Sequence, residues 1–222
     1  MAESSIELVP LEIQKHPAVL NWARRKAKDP TQLVLDQNYH YSAMKKHGID
    51  LHRGRPDISH LCILAALGTP LNQAGKLSCI VHTRENKLIR ISPKARLPRN
   101  TDRFVALIEQ LFERDTIPKN GPHLLTIEDS RLSGLVSDLH SDSVIALTTQ
   151  GKPESMKSVA SELVGKKAPV LLIGGFSRGH FSKETLALTN AAYRISPRGL
   201  DAWTVVSRAI YDYEQALSID NV

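Results

Sequence analysis

The sequence predicts an α/β protein with a mainly parallel sheet and an added β-hairpin. Three observations carry this. Strand-length apolar runs alternate with segments of helical periodicity, the pattern of a parallel sheet covered by helices. "KLSCIVHT" and "KLIRIS" flank the polar "RENK", which reads as a hairpin. "VLLIGGFSRGHF", Val170 to Phe181, joins a buried-strand run to a turn with three glycines, as at the carboxyl end of a parallel strand.

Taken in order, "IELVPLEI" reads as a strand, "PAVLNWARRKAK" as a helix and "LVLD" as a short buried strand. Pro56 suits a first helical position and opens a helix to about Leu67. The hairpin follows. In "TDRFVALIEQLF", Phe104, Leu107, Ile108 and Leu111 fall on one helical face. "HLLTIE", "SVIALTT", "PVLLIGG" and "AYRIS" are strand candidates, and "ESMKSVASELV" is the helix between the second and third. The closing "GLDAWTVVSRAIYDYEQAL" carries an apolar stripe of Trp203, Val206, Ile210, Tyr213 and Leu217.

The 222 residues, 41% hydrophobic, suit one domain spanning 1–222. No run has the length of a membrane span, and the acidic "MAESSIELVPLEIQ" is unlike a signal peptide, so a cytoplasmic protein is expected. Cys62 and Cys79 lie in apolar segments without a metal or redox spacing and read as reduced, buried thiols. Nine histidines are scattered without a ligand pattern, so no metal is expected. The net charge of +6 permits an anionic partner such as RNA. An aromatic content of 5% argues against a base-stacking platform.

The glycine turn contains two familiar spacings. Gly174 and Gly179 have the spacing of a phosphate loop, but His180 and Phe181 follow where Lys and Ser/Thr are required. Gly175-Phe-Ser177-Arg-Gly179 is a literal nucleophile elbow, yet the only downstream histidine is His180 and none follows an acid. What remains is a turn that lets backbone approach a ligand closely, or an ordinary tight turn.

Beside other segments the turn takes on meaning. "RPDISH", "PLNQAGKL", "ARLPRNTDRF", "IGGFSRGHF" and "YRISPRGLDAW", in this order, closely resemble the ribosome-biogenesis methyltransferases that modify N1 of a pseudouridine in small-subunit ribosomal RNA. These belong to the SPOUT superfamily, and the chain looks like a compact, archaeal-type member. The resemblance implies a C-terminal trefoil knot, a homodimer, S-adenosyl-L-methionine as cofactor and small-subunit ribosomal RNA as partner. It places the cofactor against three loops: Leu147, Thr148 and Gly151; Ile173, Gly174, Gly175 and Gly179; and Ile195, Ser196, Pro197, Arg198, Gly199 and Leu200. It makes Arg55, Arg96, Arg99 and Arg103 RNA contacts, with Asp57 holding Arg55. It assigns Arg178 and His180 no role, and no general base is identified. Without the resemblance, Leu147 and Ile195 would read as core, Asp57 as a helix cap, and the arginines as a solvated face. A methyltransferase acting on another RNA atom, a non-catalytic assembly factor and a hydrolase remain the competing readings.

Overall fold

The computed structural model describes residues 1–219, so the last three residues of the expected 1–222 domain lie outside the described residues. The elements are α1 (Pro17–Lys26), α2 (Gln37–Lys46), α3 (Pro56–Leu67), α4 (Pro70–Gln73), β1 (Cys79–His82), β2 (Lys87–Ile91) and α5 (Thr101–Arg114). They continue as β3 (Thr116–Ile117), β4 (Leu125–Asp129), α6 (Leu132–Asp138), β5 (Ser143–Pro153), α7 (Met156–Leu163), β6 (Pro169–Ile173), α8 (Lys183–Ala187), β7 (Ala191–Arg194) and α9 (Ala202–Ala216).

Two sheets form. The C-terminal one is parallel, in the order β6-β5-β7, as the strand–helix alternation requires. The other is antiparallel, in the order β1-β2-β4-β3, and is larger than the expected hairpin. "HLLTIE" supplies β4, which pairs with the hairpin strand β2 and not with the parallel sheet. Strand–helix alternation does not fix the direction in which a strand re-enters, and here the chain returns antiparallel. The N-terminal residues lie between the sheets: Ala2 bridges Gly174 and Ser4 bridges Thr83, both in parallel sense.

Two expected strands shrink to a single bridge, Leu8 with Val34. Pro10 has no N–H for a ladder, and a 3-10 turn at Leu11–Ile13 follows it. Leu33, Val34 and Leu35 of "LVLD" are nonetheless fully buried.

Helix α3 is apolar around most of its circumference because it is enclosed. Ile63 packs into the core beneath the antiparallel sheet, with Ile89, Phe104 and Ile108. Ile58, Cys62 and Ala66 pack into the core beneath the parallel sheet, with Ile145, Val206 and Ile210. The expected stripe of α9 lies on that second core, Trp203, Tyr213 and Leu217 at its margin. Burial pushes the Cys62 thiol up to about 12 and raises that of Cys79, and both cysteines are free. Among the described residues no helix is long and apolar enough to cross a membrane, and no three His, Cys, Asp or Glu side chains gather as metal ligands.

His40, in α2, is fully buried; its Nδ1 accepts from the Asp36 N–H at 3.0 Å and its Nε2 has no partner among the described residues. Burial lowers its pKa from 6.5 to about 4. The folded state therefore binds fewer protons than the unfolded state between those values. Stability from this group is complete above pH 6.5 and is lost as pH falls towards 4, by roughly 3 kcal/mol. Burial also lowers His60 and His82, with the same sign. Urea unfolding at pH 7 and pH 4.5 should show this loss, and His40→Gln should show a smaller one. An equal pH dependence in the two proteins would assign the acid sensitivity elsewhere.

Candidate functional site

A cavity of about 330 Å³ opens at the carboxyl ends of the parallel strands, within the roughly 300–1,000 Å³ range of small-molecule sites. This is the edge at which open α/β sheets bind ligands. Three segments form its wall. The first is the end of β5, where pairing to Tyr193 shifts between Leu147 and Lys152, so that the intervening residues bulge from the ladder. The bulge presents Thr148 and Thr149 to the cavity, a re-aiming for which such irregularities serve. The second is the glycine turn after β6. The third is the loop after β7, which runs into α9.

Of the sequence-predicted cofactor residues, Leu147, Thr148, Ile173, Gly174, Gly179, Ile195, Ser196, Arg198, Gly199 and Leu200 meet on this wall. Gly151, Gly175 and Pro197 do not line it. Gly151 lies against β7: a Cβ there would stand 2.5 Å from the carbonyl carbon of Tyr193. Gly175 lies against the N-terminal segment, where a Cβ would stand 2.0 Å from Ser4 Oγ. Both are glycine because another backbone passes close by. Gly179 differs, with open space around it and a φ of +101° that L side chains rarely adopt.

The same loops bring in residues that sequence reasoning left without a role. Phe176, Arg178, His180, Arg194 and Val205 all line the cavity. Phe176 packs edge-on against Phe181 with centroids 5.6 Å apart. Val205 was readable as the inward position one turn into α9; nothing in the sequence orients Arg178 or Arg194. Among the described residues no carboxylate lines the wall, whereas Arg178, Arg194, Arg198 and His180 do, so the cavity favours a ligand with an anionic part. Leu147, Ile173, Ile195, Leu200 and Val205 supply an apolar face for an apolar part of a ligand.

The arginines occupy the other part of the candidate site. Arg55 stands just before α3 and Asp57 in its first turn, where the helix dipole favours a carboxylate. Arg55 donates from Nε to Asp57 Oδ1 and from Nη2 to Oδ2, both at 2.8 Å, a bidentate fork. These bonds raise the Arg55 pKa, with burial opposing them. Each side chain keeps part of its surface open, 30% for Arg55 and 28% for Asp57. Arg96 and Arg99 are exposed on the segment that leads into α5, and Arg103 is exposed in its first turn. Asn100 caps that helix by accepting from the Arg103 N–H at 3.0 Å.

His60 ties the two arginine groups together. It is buried on α3, its ring stacked on Phe104 of α5 with centroids 4.3 Å apart. Nε2 donates to the Pro98 carbonyl at 2.7 Å, so Nδ1 is left to accept from Thr101 Oγ1 at 3.4 Å. The arginine-bearing segment is thereby fastened to the helix that Arg55 begins. A buried histidine on an apolar helix gives no such signal in the sequence.

Fold and site define an α/β protein with a small-molecule cavity at the ends of its parallel strands and a separate set of exposed arginines. Residues 1–214 match the model of the EMG1/NEP1 methyltransferase family. The ribosomal RNA small subunit methyltransferase Nep1 of Thermococcus kodakarensis is 41% identical over 99% of this chain and 98% of its own. Its namesake from Pyrococcus furiosus is 38% identical over 96% of this chain and 94% of its own. The crystal structure of Archaeoglobus fulgidus Nep1 bound to S-adenosylhomocysteine superposes with a TM-score of 0.85 at 32% identity, covering 98% and 97% of the two chains. The chain belongs to the EMG1/NEP1 methyltransferase family.

Proposed function

We propose that this protein transfers a methyl group from S-adenosylmethionine to N1 of a pseudouridine in small-subunit ribosomal RNA, in the course of small-subunit assembly. The observation that carries the reading is the convergence of three loops on one cavity, in a chain alike over its full length to small-subunit ribosomal RNA methyltransferases. The cofactor fits the wall. Leu147, Ile195 and Leu200 would flank the adenine, Gly174 and Gly179 would admit backbone contacts, and one or more of the wall's arginines would take the carboxylate. The cofactor supplies a sulfonium methyl that leaves by in-line displacement. The protein's own contribution is positioning: it holds two reactants in a near-attack geometry. Asp57 is a poor base, because both its oxygens accept from Arg55. The deep knot and homodimer of the superfamily, and a cytoplasmic site of action, belong to the same reading.

Label transfer from S-adenosylmethionine to a small-subunit ribosomal RNA fragment tests the activity. RNA binding without transfer favours an assembly role alone. The RNA surface has a separate test. Arg96→Ala, Arg99→Ala and Arg103→Ala should each weaken RNA binding and spare cofactor binding. Each should also lower the salt slope by roughly 0.7–0.9 for every phosphate it ceases to neutralise. Parent-like binding by all three at every salt concentration would leave them as a solvated face.

A further inference from the structure

The cavity and Arg55 are joined by the N-terminal segment, through backbone bonds that meet at one residue. Ala2 donates its N–H to the Ile173 carbonyl at 2.9 Å and accepts from the Gly175 N–H at 2.9 Å. Ser5 donates its N–H to the Gly175 carbonyl at 3.0 Å. The Ser5 carbonyl then accepts from the Arg55 N–H at 3.2 Å. One residue thus bonds to the glycine turn on one side and to the RNA-facing arginine on the other. Ser5 Oγ donates to His52 O at 3.4 Å, a second tie to the same loop.

The far end of the glycine turn is held by the same segment. Glu3 Oε1 accepts from the Ser182 N–H at 2.9 Å, one residue past Phe181 on the cavity wall. Glu3 holds a φ of +52°, uncommon for a residue other than glycine, so the segment keeps this carboxylate in place against a local preference. On its other side the segment is fixed: Ser4 donates to His82 O at 2.8 Å and accepts from the Arg84 N–H at 3.2 Å. Ser4 Oγ is buried without a partner among the described residues, in the space that a Gly175 side chain would need. The glycine turn therefore cannot move far without moving residues 2–5, and these cannot move without Arg55.

On the proposed-function reading, we infer that Glu3 and Ser5 are positioning residues that couple cofactor binding to RNA binding: a ligand in the cavity fixes the turn, and the turn sets Arg55. The coupling is reciprocal, since a change in RNA affinity caused by cofactor equals the change in cofactor affinity caused by RNA.

The experiment measures the affinity of the full chain for a pseudouridine-bearing small-subunit ribosomal RNA hairpin, with and without saturating S-adenosylhomocysteine. The parent should bind RNA about fivefold or more tightly with the ligand present. Glu3→Ala, which removes the acceptor of the Ser182 N–H, should reduce that ratio to less than twofold. Glu3→Gln keeps a side-chain carbonyl oxygen and should restore it. A loss of structure alone would lower both affinities and leave the ratio unchanged, so thermal melting of each variant accompanies the titrations. A ratio of one in the parent, or an undiminished ratio in Glu3→Ala, overturns the coupling while cofactor and RNA binding stand. Absence of S-adenosylhomocysteine binding in the parent overturns the proposed cofactor and the coupling together.

Discussion

Two hairpins of small-subunit ribosomal RNA that differ at one base, pseudouridine or uridine, should divide completely as methyl acceptors. The reason lies in the substrate. The glycosidic bond of uridine occupies N1, which has no proton to lose and no lone pair free for attack. Pseudouridine is attached through carbon and presents N1 as an N–H. Discrimination therefore needs no close fit of the base in a pocket. It needs only that the reacting nitrogen meet the methyl donor in line, which on the proposed reading is the task of the cavity and of the RNA-binding arginines. With labelled S-adenosylmethionine and mass spectrometry of the nucleosides, label should appear on N1 of pseudouridine and nowhere in the uridine hairpin. Equal labelling of both, or label on ribose, would identify a methyltransferase with another target atom. The arginines then serve a second purpose: removal of Arg55 should lower transfer without altering which base is chosen.

Local chemistry was legible, and long-range approach was not. Pro56 and Asp57 mark the start of α3 because first-turn proline and acid are local preferences, and the helix begins at Pro56. The stripe of α5 is a repeat within one helix and lies on the core as read. The glycine turn alone leaves open a ligand loop or an ordinary tight turn; only the family resemblance puts Gly174 and Gly179 beside a cofactor, and both line the cavity. Gly151 and Gly175 look the same in the sequence, but their roles depend on Tyr193 and Ser4, whose approach no local pattern encodes. Helix α2 was missed for another reason. Its buried residues include His40 beside Ala43 and Met44, which do not make an apolar stripe. The N-terminal pairing was hidden likewise: Ser4 and Ser5 look like a polar lead-in, yet both are fully buried and held by backbone bonds.

Gly174→Val should abolish S-adenosylhomocysteine binding while the protein remains folded. A Cβ at this position would stand 2.7 Å from Phe176 Cζ and 2.8 Å from Cε1, nearer than non-bonded carbons tolerate. The ring must move, and its options are few. Phe181, only 6% exposed, packs edge-on against it. The turn behind it is bonded to Ala2 and Ser5. The cavity, which Phe176 already lines, is the open direction. Overpacking of this kind costs about 1–3 kcal/mol. Borne by the cavity, the upper end is roughly a hundredfold in affinity, at 1.4 kcal/mol per tenfold; direct intrusion of the valine methyls and the ring adds to it. Calorimetric titration should show no measurable heat, with a cooperative melt retained. Adding Phe176→Ala makes room for the valine, and the double variant should recover part of the lost affinity. That recovery is a coupling between the two positions, read from a double-mutant cycle. Strict additivity would mean that Gly174 acts through something other than this ring. Parent-like affinity in Gly174→Val would remove the glycine turn from the cofactor site.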